Sequence, residues 1–370
     1  MSTETTLLKK HPLLAVWRWP VWIFELLTTG KSFKDNPFLG QYWLNRLGLH
    51  ALRYLLAHGL TQLRWWQLMW LLTPAERASF HQNGYLQINQ FLPPDLFKAM
   101  ATEAQTGTDT VRQLTQQDTL TQRFLIDETI MVQRPALAQL FHHKRLDRLL
   151  KYCGARNKKS LYYAQVIKNG VRTAAEDPQK HLHSDTFHPT LKAWIFLTDV
   201  SPADGPLTYV PGSHRLSRAR LSFEYQKSLS VLRSPDGFSE KGSLRITPAD
   251  LRALKLPDPI AFTVPANTLV LADTHGFHAR GQAEAGRCRP EIWIYSRHNP
   301  FFPVAGFDFP WMRRLSHRVL NHLWLKDDAS AAAGGKAATW VKITAPEFEQ
   351  RYPPAGTDSP AGTSGEHGVS

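Results

Sequence analysis

His183-Ser184-Asp185 sets two metal-binding side chains two residues apart, and on a strand both would point to the same face. A second imidazole, His278, lies in the later segment Ala272-Asp-Thr-His275-Gly-Phe-His278-Ala-Arg280 and could reach the same point from a neighbouring strand. Two imidazoles and one carboxylate on one face of a metal leave positions open for a co-substrate and dioxygen. That is the pattern of non-haem Fe(II) oxygenases. Arg289, eleven residues beyond His278, adds a planar guanidinium that can hold the far carboxylate of a dicarboxylic acid. With such an acid chelating iron through its other end, the residues describe a 2-oxoglutarate site.

A lone His-x-Asp is common by chance and more often a hydrogen-bonded pair at a strand end. The matched histidine and the arginine beyond it make the conjunction specific. Rival ligands are weaker. His181 lacks the carboxylate spacing, His188 precedes Pro189 in a loop, and His275 lacks an arginine at the same distance. His214, in Pro-Gly-Ser-His, reads as a structural turn residue. Arg287 competes with Arg289, but Arg289 stands closer to the strand expected over 291–295. Gln165, on the strand before the metal motif, is a further co-substrate candidate.

The elements that must position these residues are short strands: 161–167, 193–198, 207–210, 260–264, 268–271 and 291–295, separated by Pro, Gly, Asp and Asn. Such spacing predicts an antiparallel barrel or jelly roll. Upstream, Thr73-Pro-Ala-Glu76 is a capping box with Pro at the first helical position, so a helix should begin there and stop at Gly84. Residues 85–91 read as a strand, and a helix should follow from Pro93-Pro-Asp95 through Gln105. Residues 106–150 read as mostly helical, with 126–132 as an optional strand. The basic stretch 215–257 is long enough to cover the mouth of a barrel, and 311–326 reads as an amphipathic basic helix. The expected organisation is an N-terminal helical region over 1–72, a catalytic domain over 73–326, and a low-complexity tail over 327–370 that lacks order from Pro353.

With 370 residues, 42% of them apolar, and 12 Trp, the chain can bury a substantial core. Two cysteines, Cys153 and Cys288, give no disulfide framework and point to a reducing, cytoplasmic setting. The net charge of +13 favours an acidic partner, yet no nucleic-acid motif accompanies it, and none is expected as a partner. No secretory signal or membrane span is recognisable. Between Asn36 and Ala75 there is no acidic residue at all. In that stretch Arg46, His50, Arg53, Thr61 and Arg64 share one helical face, with Leu and Trp elsewhere. Packing on the catalytic domain with the arginines in water is the favoured reading. Peripheral contact of 12–72 with an anionic membrane is the other.

Gly205-Pro-Leu-Thr-Tyr-Val-Pro-Gly-Ser-His214 resembles a segment of the phytanoyl-CoA dioxygenase family, as does Gly84-Tyr85 through Phe91-Leu92 near the start of the domain. His183, Asp185, His278 and Arg289 fall where that family's motif requires them, and Trp194 resembles an aromatic that lines its co-substrate pocket. The resemblance covers roughly 77–300. It implies an α+β chain with a mainly β core, a double-stranded β-helix (jelly roll, cupin-like) with flanking helices and an N-terminal helical extension. It also implies Fe(II), with 2-oxoglutarate and O2 as co-substrates. Arg280 departs from the pattern, since family members often carry a small hydroxyl residue there.

The expected function is Fe(II)- and 2-oxoglutarate-dependent hydroxylation of a small-molecule or lipid-like, acidic substrate, with release of succinate and CO2. The carboxylate of Asp185 argues for hydroxylation or desaturation over halogenation. The alternative is a metal- or ligand-binding protein that keeps the fold without turnover. Zinc-dependent hydrolysis leaves Arg289 without a role. Substrate identity and oligomeric state are not legible.

Overall fold

The computed structural model describes residues 16–171, 176–335 and 338–349. The start of region 12–72 and the tail from 350 onward, including the stretch expected to lack order, lie outside the described residues.

Three helices come first: α1 (Trp19–Leu26), α2 (Tyr42–Arg46) and α3 (Leu49–Gln67). Next is α4 (Pro74–Asn83), whose Thr73 and Glu76 close both halves of the expected capping box; Gly84 ends it at φ 84°. Strand β1 (Tyr85–Ile88) and helix α5 (Pro94–Gln105) follow as anticipated. The next stretch departs from expectation. Arg112–Gln116 (β2) and Thr119–Leu125 (β3) form a hairpin turning at Gln117, and 126–132 gives way to a helix, α6 (Glu128–Gln133), capped by the Asp127 carboxylate. The hairpin is rich in Gln and Thr, so it lacks the apolar alternation that marks a half-buried strand. Helices α7 (Pro135–Phe141) and α8 (Lys144–Cys153) complete this region.

The β-rich half contains β4 (Leu161–Asn169), β5 (Leu191–Phe196) and β6 (Leu207–Tyr209). After these come α9 (Arg218–Ser230), α10 (Pro248–Ala253), β7 (Ile260–Ala261), β8 (Leu269–Asp273), β9 (His278–Arg280) and β10 (Cys288–Ser296). Order then continues past Lys326. Helix α11 runs Pro310–Ala332, β11 (Val341–Lys342) pairs with β2, and α12 (Ala345–Glu349) buries Phe348 against Phe124. Part of the stretch expected as a low-complexity tail is therefore built into the fold, because Ile343 and Phe348 supply buried apolar side chains.

All pairing is antiparallel. An eight-stranded sheet runs β1-β8-β5-β10-β4-β3-β2-β11, and a three-stranded sheet runs β7-β6-β9. Side chains of both sheets line one cavity, so the sheets face each other in a jelly-roll arrangement that does not close into a barrel. The outer face of the large sheet is covered by α5 to α8, and its main core includes Phe124, Leu137, Phe141, Tyr162, Ile195 and Ile292.

Helix α3 lies on this body the opposite way round from the favoured expectation. His50, Arg53, Thr61 and Arg64 are buried, at 0–4% exposure, and not in water. Arg53 donates from Nε to the Leu26 carbonyl at 2.8 Å and from Nη2 to the Thr28 and Gly30 carbonyls, and its guanidinium sits 4.4 Å over the Phe187 ring. Arg64 donates to the carbonyls of Ala155, Pro300 and Phe302 and to Thr61 Oγ1. His50 meets Glu224 of α9 at 2.9 Å, and Glu224 in turn holds Arg220. The helix thus turns its polar stripe inward because loop ends and α9 supply acceptors there.

Candidate metal centre

His183 lies in a one-residue antiparallel bridge with His278. Each backbone N–H donates to the other's carbonyl at 2.9 Å, which sets the two rings side by side with centroids 4.5 Å apart. Asp185, two residues on, donates its N–H to the Thr274 carbonyl and brings its carboxylate round to both rings. The separations are 3.7 Å from His183 Nε2 to Asp185 Oδ1 and 3.7 Å from His278 Nε2 to Asp185 Oδ2. One donor atom from each of the three residues lies within 4.8 Å of the others.

Each ring's proton position follows from its neighbours. His183 Nδ1 faces the His181 carbonyl at 2.8 Å and His278 Nδ1 faces the Gly276 carbonyl at 3.0 Å. A carbonyl only accepts, so both protons sit on Nδ1 and both Nε2 lone pairs face the cluster. His183 Nε2 is buried without a hydrogen-bond partner. Burial holds both imidazoles below their ordinary range, His183 well below it, so they are neutral at physiological pH. Burial alone would raise the Asp185 carboxyl; the Lys192 ammonium, at 2.7 Å, is the largest pull against it, and the acid is held well below its usual value. An orphaned lone pair, a neutral second imidazole and an ionised carboxylate are the donor set that a divalent transition metal takes.

A cavity of about 210 Å³ opens from these residues between the sheets. Arg289, Gln165 and Trp194, the three expected co-substrate residues, all line it. Arg289 Nε donates to Glu291 at 3.0 Å and Nη1 to the Gly205 carbonyl. Nη2 and the second proton of Nη1 are left for another carboxylate. Gln165 donates to the other oxygen of Glu291 at 2.7 Å, directly across the β4–β10 register. Glu291 was not anticipated, although its place two residues after Arg289 on one strand face was a readable signal. Arg280, where the family often has a hydroxyl, is tied to buried Asp177 at 2.6 Å.

Three cations near the metal residues had no sequence signal. Lys192 pairs with Asp185, and Lys31, before α2, donates from Nζ to the Asp185 carbonyl. Burial brings Lys31 down to about 8. Arg123 of β3 stands among three aromatic rings, Trp340 at 3.7 Å, Tyr163 at 4.5 Å and Trp293 at 5.1 Å. Its Nε is buried with no hydrogen-bond partner.

The rival histidines fall elsewhere. His181 is exposed beside Glu176; His188 bonds the Pro189 carbonyl; His275 lies behind the centre against Tyr54 Oη, 3.2 Å away; His214 packs on Phe80. Arg287 faces outward to Glu284. Tyr209 Oη bonds the Asp273 carbonyl and lies so close to Gly276 that a Cβ there would meet it at 2.0 Å. Only glycine fits this turn before His278.

Fold and donors together make a jelly-roll candidate metal site of two imidazoles and one carboxylate. Residues 80–238 match the family model described as phytanoyl-CoA dioxygenase, and over that stretch the chain is phytanoyl-CoA dioxygenase-like. His278 and Arg289 lie beyond the matched residues. No curated protein matches the chain. Among solved structures it is similar to the non-haem alpha-ketoglutarate-dependent epimerase SnoN from nogalamycin biosynthesis, at 19% identity and TM-score 0.42, covering 60% of this chain and 83% of that one. HygX from Streptomyces hygroscopicus, with nickel and 2-oxoglutarate bound, is 18% identical at TM-score 0.39, covering 60% and 86%. AviO1 from Streptomyces viridochromogenes Tue57 is 18% identical at TM-score 0.39, covering 61% and 96%. Likenesses this distant leave the reaction to be argued from the site.

Proposed function

We propose that the chain is an Fe(II)- and 2-oxoglutarate-dependent oxygenase that hydroxylates a small acidic or lipid-like substrate. The observation that carries this is the His183–Asp185–His278 cluster, with one buried Nε2 lacking any other partner, opening into the cavity that holds Arg289. His183, Asp185 and His278 would hold the metal, and Arg289 would hold the distal carboxylate of 2-oxoglutarate against Trp194. Iron with 2-oxoglutarate and O2 would supply the oxidising chemistry, one oxygen atom of O2 ending in succinate as CO2 leaves and the other in the hydroxylated product.

The chain's own residues orient and select. The His181 and Gly276 carbonyls keep the imidazole protons on Nδ1, so Nε2 is always the donor. Lys192 keeps Asp185 ionised and takes up the carboxylate oxygen that faces it. Glu291, braced by Gln165, fixes the plane of the Arg289 guanidinium. Trp194, Trp293 and Trp340 wall the cavity and limit water in it. Arg123, positively charged and without a carboxylate among the described residues, is the group we assign to an anionic substituent of the substrate.

The reading is tested by anaerobic titration of the protein with Fe(II) and 2-oxoglutarate, following the visible metal-to-ligand charge-transfer band. Wild type should develop the band, His183→Ala and Asp185→Ala should lose it, and Arg289→Ala should need roughly tenfold or more 2-oxoglutarate, the loss of one charge-assisted contact. Metal bound normally with no band would overturn the oxygenase reading in favour of a binding protein. In the substrate search, carboxylated and phosphorylated compounds should stimulate 2-oxoglutarate consumption by wild type more than by Arg123→Gln.

A further inference from the structure

We infer that the outward face of the N-terminal helices is a docking surface for an anionic lipid bilayer. Helix α3 buries its polar stripe, and what it leaves in solvent is, Gln62 aside, apolar. Leu52, Leu56, Leu63, Trp66 and Trp70 run along one side of it and just beyond, with Trp66 68% and Trp70 74% exposed. An ordinary surface helix has the reverse polarity.

The apolar face extends past α3. The turn after α1 is held to α3 by Arg53 and to the 299–305 loop by Asn299, which donates to the Leu27 carbonyl. That loop is tied to the end of α3 by Gln67, which binds the Pro303 carbonyl and the Ala305 N–H. Trp17 and Phe24 of the first helical segment, and Phe302 with the stacked Phe307, Phe309 and Trp311, are exposed as well. A row of large apolar side chains left in water along one helix face marks an interaction surface.

Charge decides between occupants. Residues 36–75 contain no Asp or Glu, and Arg18 and Arg46 are exposed in the same N-terminal helices of a chain of net charge +13. Two copies meeting through it would oppose like charges, whereas an anionic bilayer offers complementary charge at its surface and apolar depth beneath. Tryptophan suits the boundary between the two. Among the described residues no helix is long and apolar enough to cross a membrane, and the contact proposed is with the surface. The same helices reach the metal residues: Lys31, five residues past the end of α1, binds the Asp185 carbonyl, and Arg53 of α3 covers Phe187. A lipid-borne acidic substrate could therefore be met where the protein sits.

The docking claim does not depend on the oxygenase reading, and its test uses metal-free full-length protein. Co-sedimentation with phosphatidylglycerol/phosphatidylcholine vesicles should show binding that weakens with added salt, and pure phosphatidylcholine should bind less. Trp66→Ser/Trp70→Ser should lower the vesicle-bound ratio roughly tenfold or more while leaving the circular dichroism unchanged. Brominated lipid should quench the tryptophan emission of bound wild type. No binding to the anionic vesicles at low salt would overturn the proposal. So would a stable dimer in sedimentation equilibrium that the double variant dissolves, since the face would then belong to a second copy.

Discussion

Two polar surfaces turn inward in this molecule, and they end differently. Along α3, the charges and hydroxyl of Arg53, Arg64, His50 and Thr61 are met by carbonyls and by Glu224. At the strand bridge of His183 and His278, the backbone is equally well paired, but an imidazole nitrogen is left buried with nothing to bind. The first surface is architecture: its arginines and its hydroxyl join helix to body, although His50 Nδ1 and His58 Nε2 stay without a partner. The second carries the proposed chemistry: it keeps a lone pair in reserve, at a cost that a bound metal would offset. Burial of polar groups alone does not separate the two. Satisfaction and the convergence of three donor residues do.

The contrast breaks most sharply on Arg64. It is almost fully enclosed, and burial brings its guanidinium down to about 10, yet no carboxylate pairs with it among the described residues. Its partners include the carbonyl of Ala155, a residue at φ 48° just past α8. Arg64→Met keeps much of the volume but strands those carbonyls, and we expect a loss on the order of 3 kcal/mol in denaturant unfolding. Asp185→Ala is the counterpart. It should abolish metal binding while changing unfolding by about 1 kcal/mol or less, since Lys192 is left partly in reach of water. Equal destabilisation by the two variants would erase the distinction between the surfaces.

Much of the candidate metal centre was legible from spacing, although the His183–Asp185 pair sits at an isolated bridge and not on the strand that was expected. His183 and Asp185 are two apart, and Arg289 follows His278 at a fixed distance, so a linear pattern carries the whole cluster. What pairing across the sheet contributes has no such trace. Arg123 reaches Gln165 only through the β3–β4 register, and Trp340 covers Arg123 from a segment whose composition suggested a tail. The inward face of α3 was half legible. The stripe of Arg, His and Thr could be seen, but the usual rule sent it to solvent. Its makeup held the counter-signal, since it contained no acid and no lysine, and its opposite side was Leu and Trp. The polar hairpin 112–125 failed for the opposite reason, because both its faces find polar or aromatic neighbours and no alternation survives.

Asp273 sharpens the comparison at its midpoint, being buried, partly satisfied and no part of the metal set. Its Oδ1 accepts the backbone N–H groups of Thr190 and His275, while Oδ2 has no partner. Burial pushes the acid up from 3.8 to about 7, against the pull of those two N–H groups. The folded protein therefore holds this proton over a range where the unfolded chain has released it. Fewer protons bound in the unfolded state mean that stability falls as pH rises from about 4 to about 7, by up to about 1.4 kcal/mol per unit from this group. Asp273→Asn keeps an oxygen for the two N–H groups and cannot ionise. Its stability relative to wild type should rise across that window by a few kcal/mol at most and level off above it. Chemical denaturation of both proteins at pH 4, 5.5, 7 and 8 would show this. A difference that stays flat would mean that Oδ2 has found a donor and that Asp273 belongs with the satisfied groups of α3.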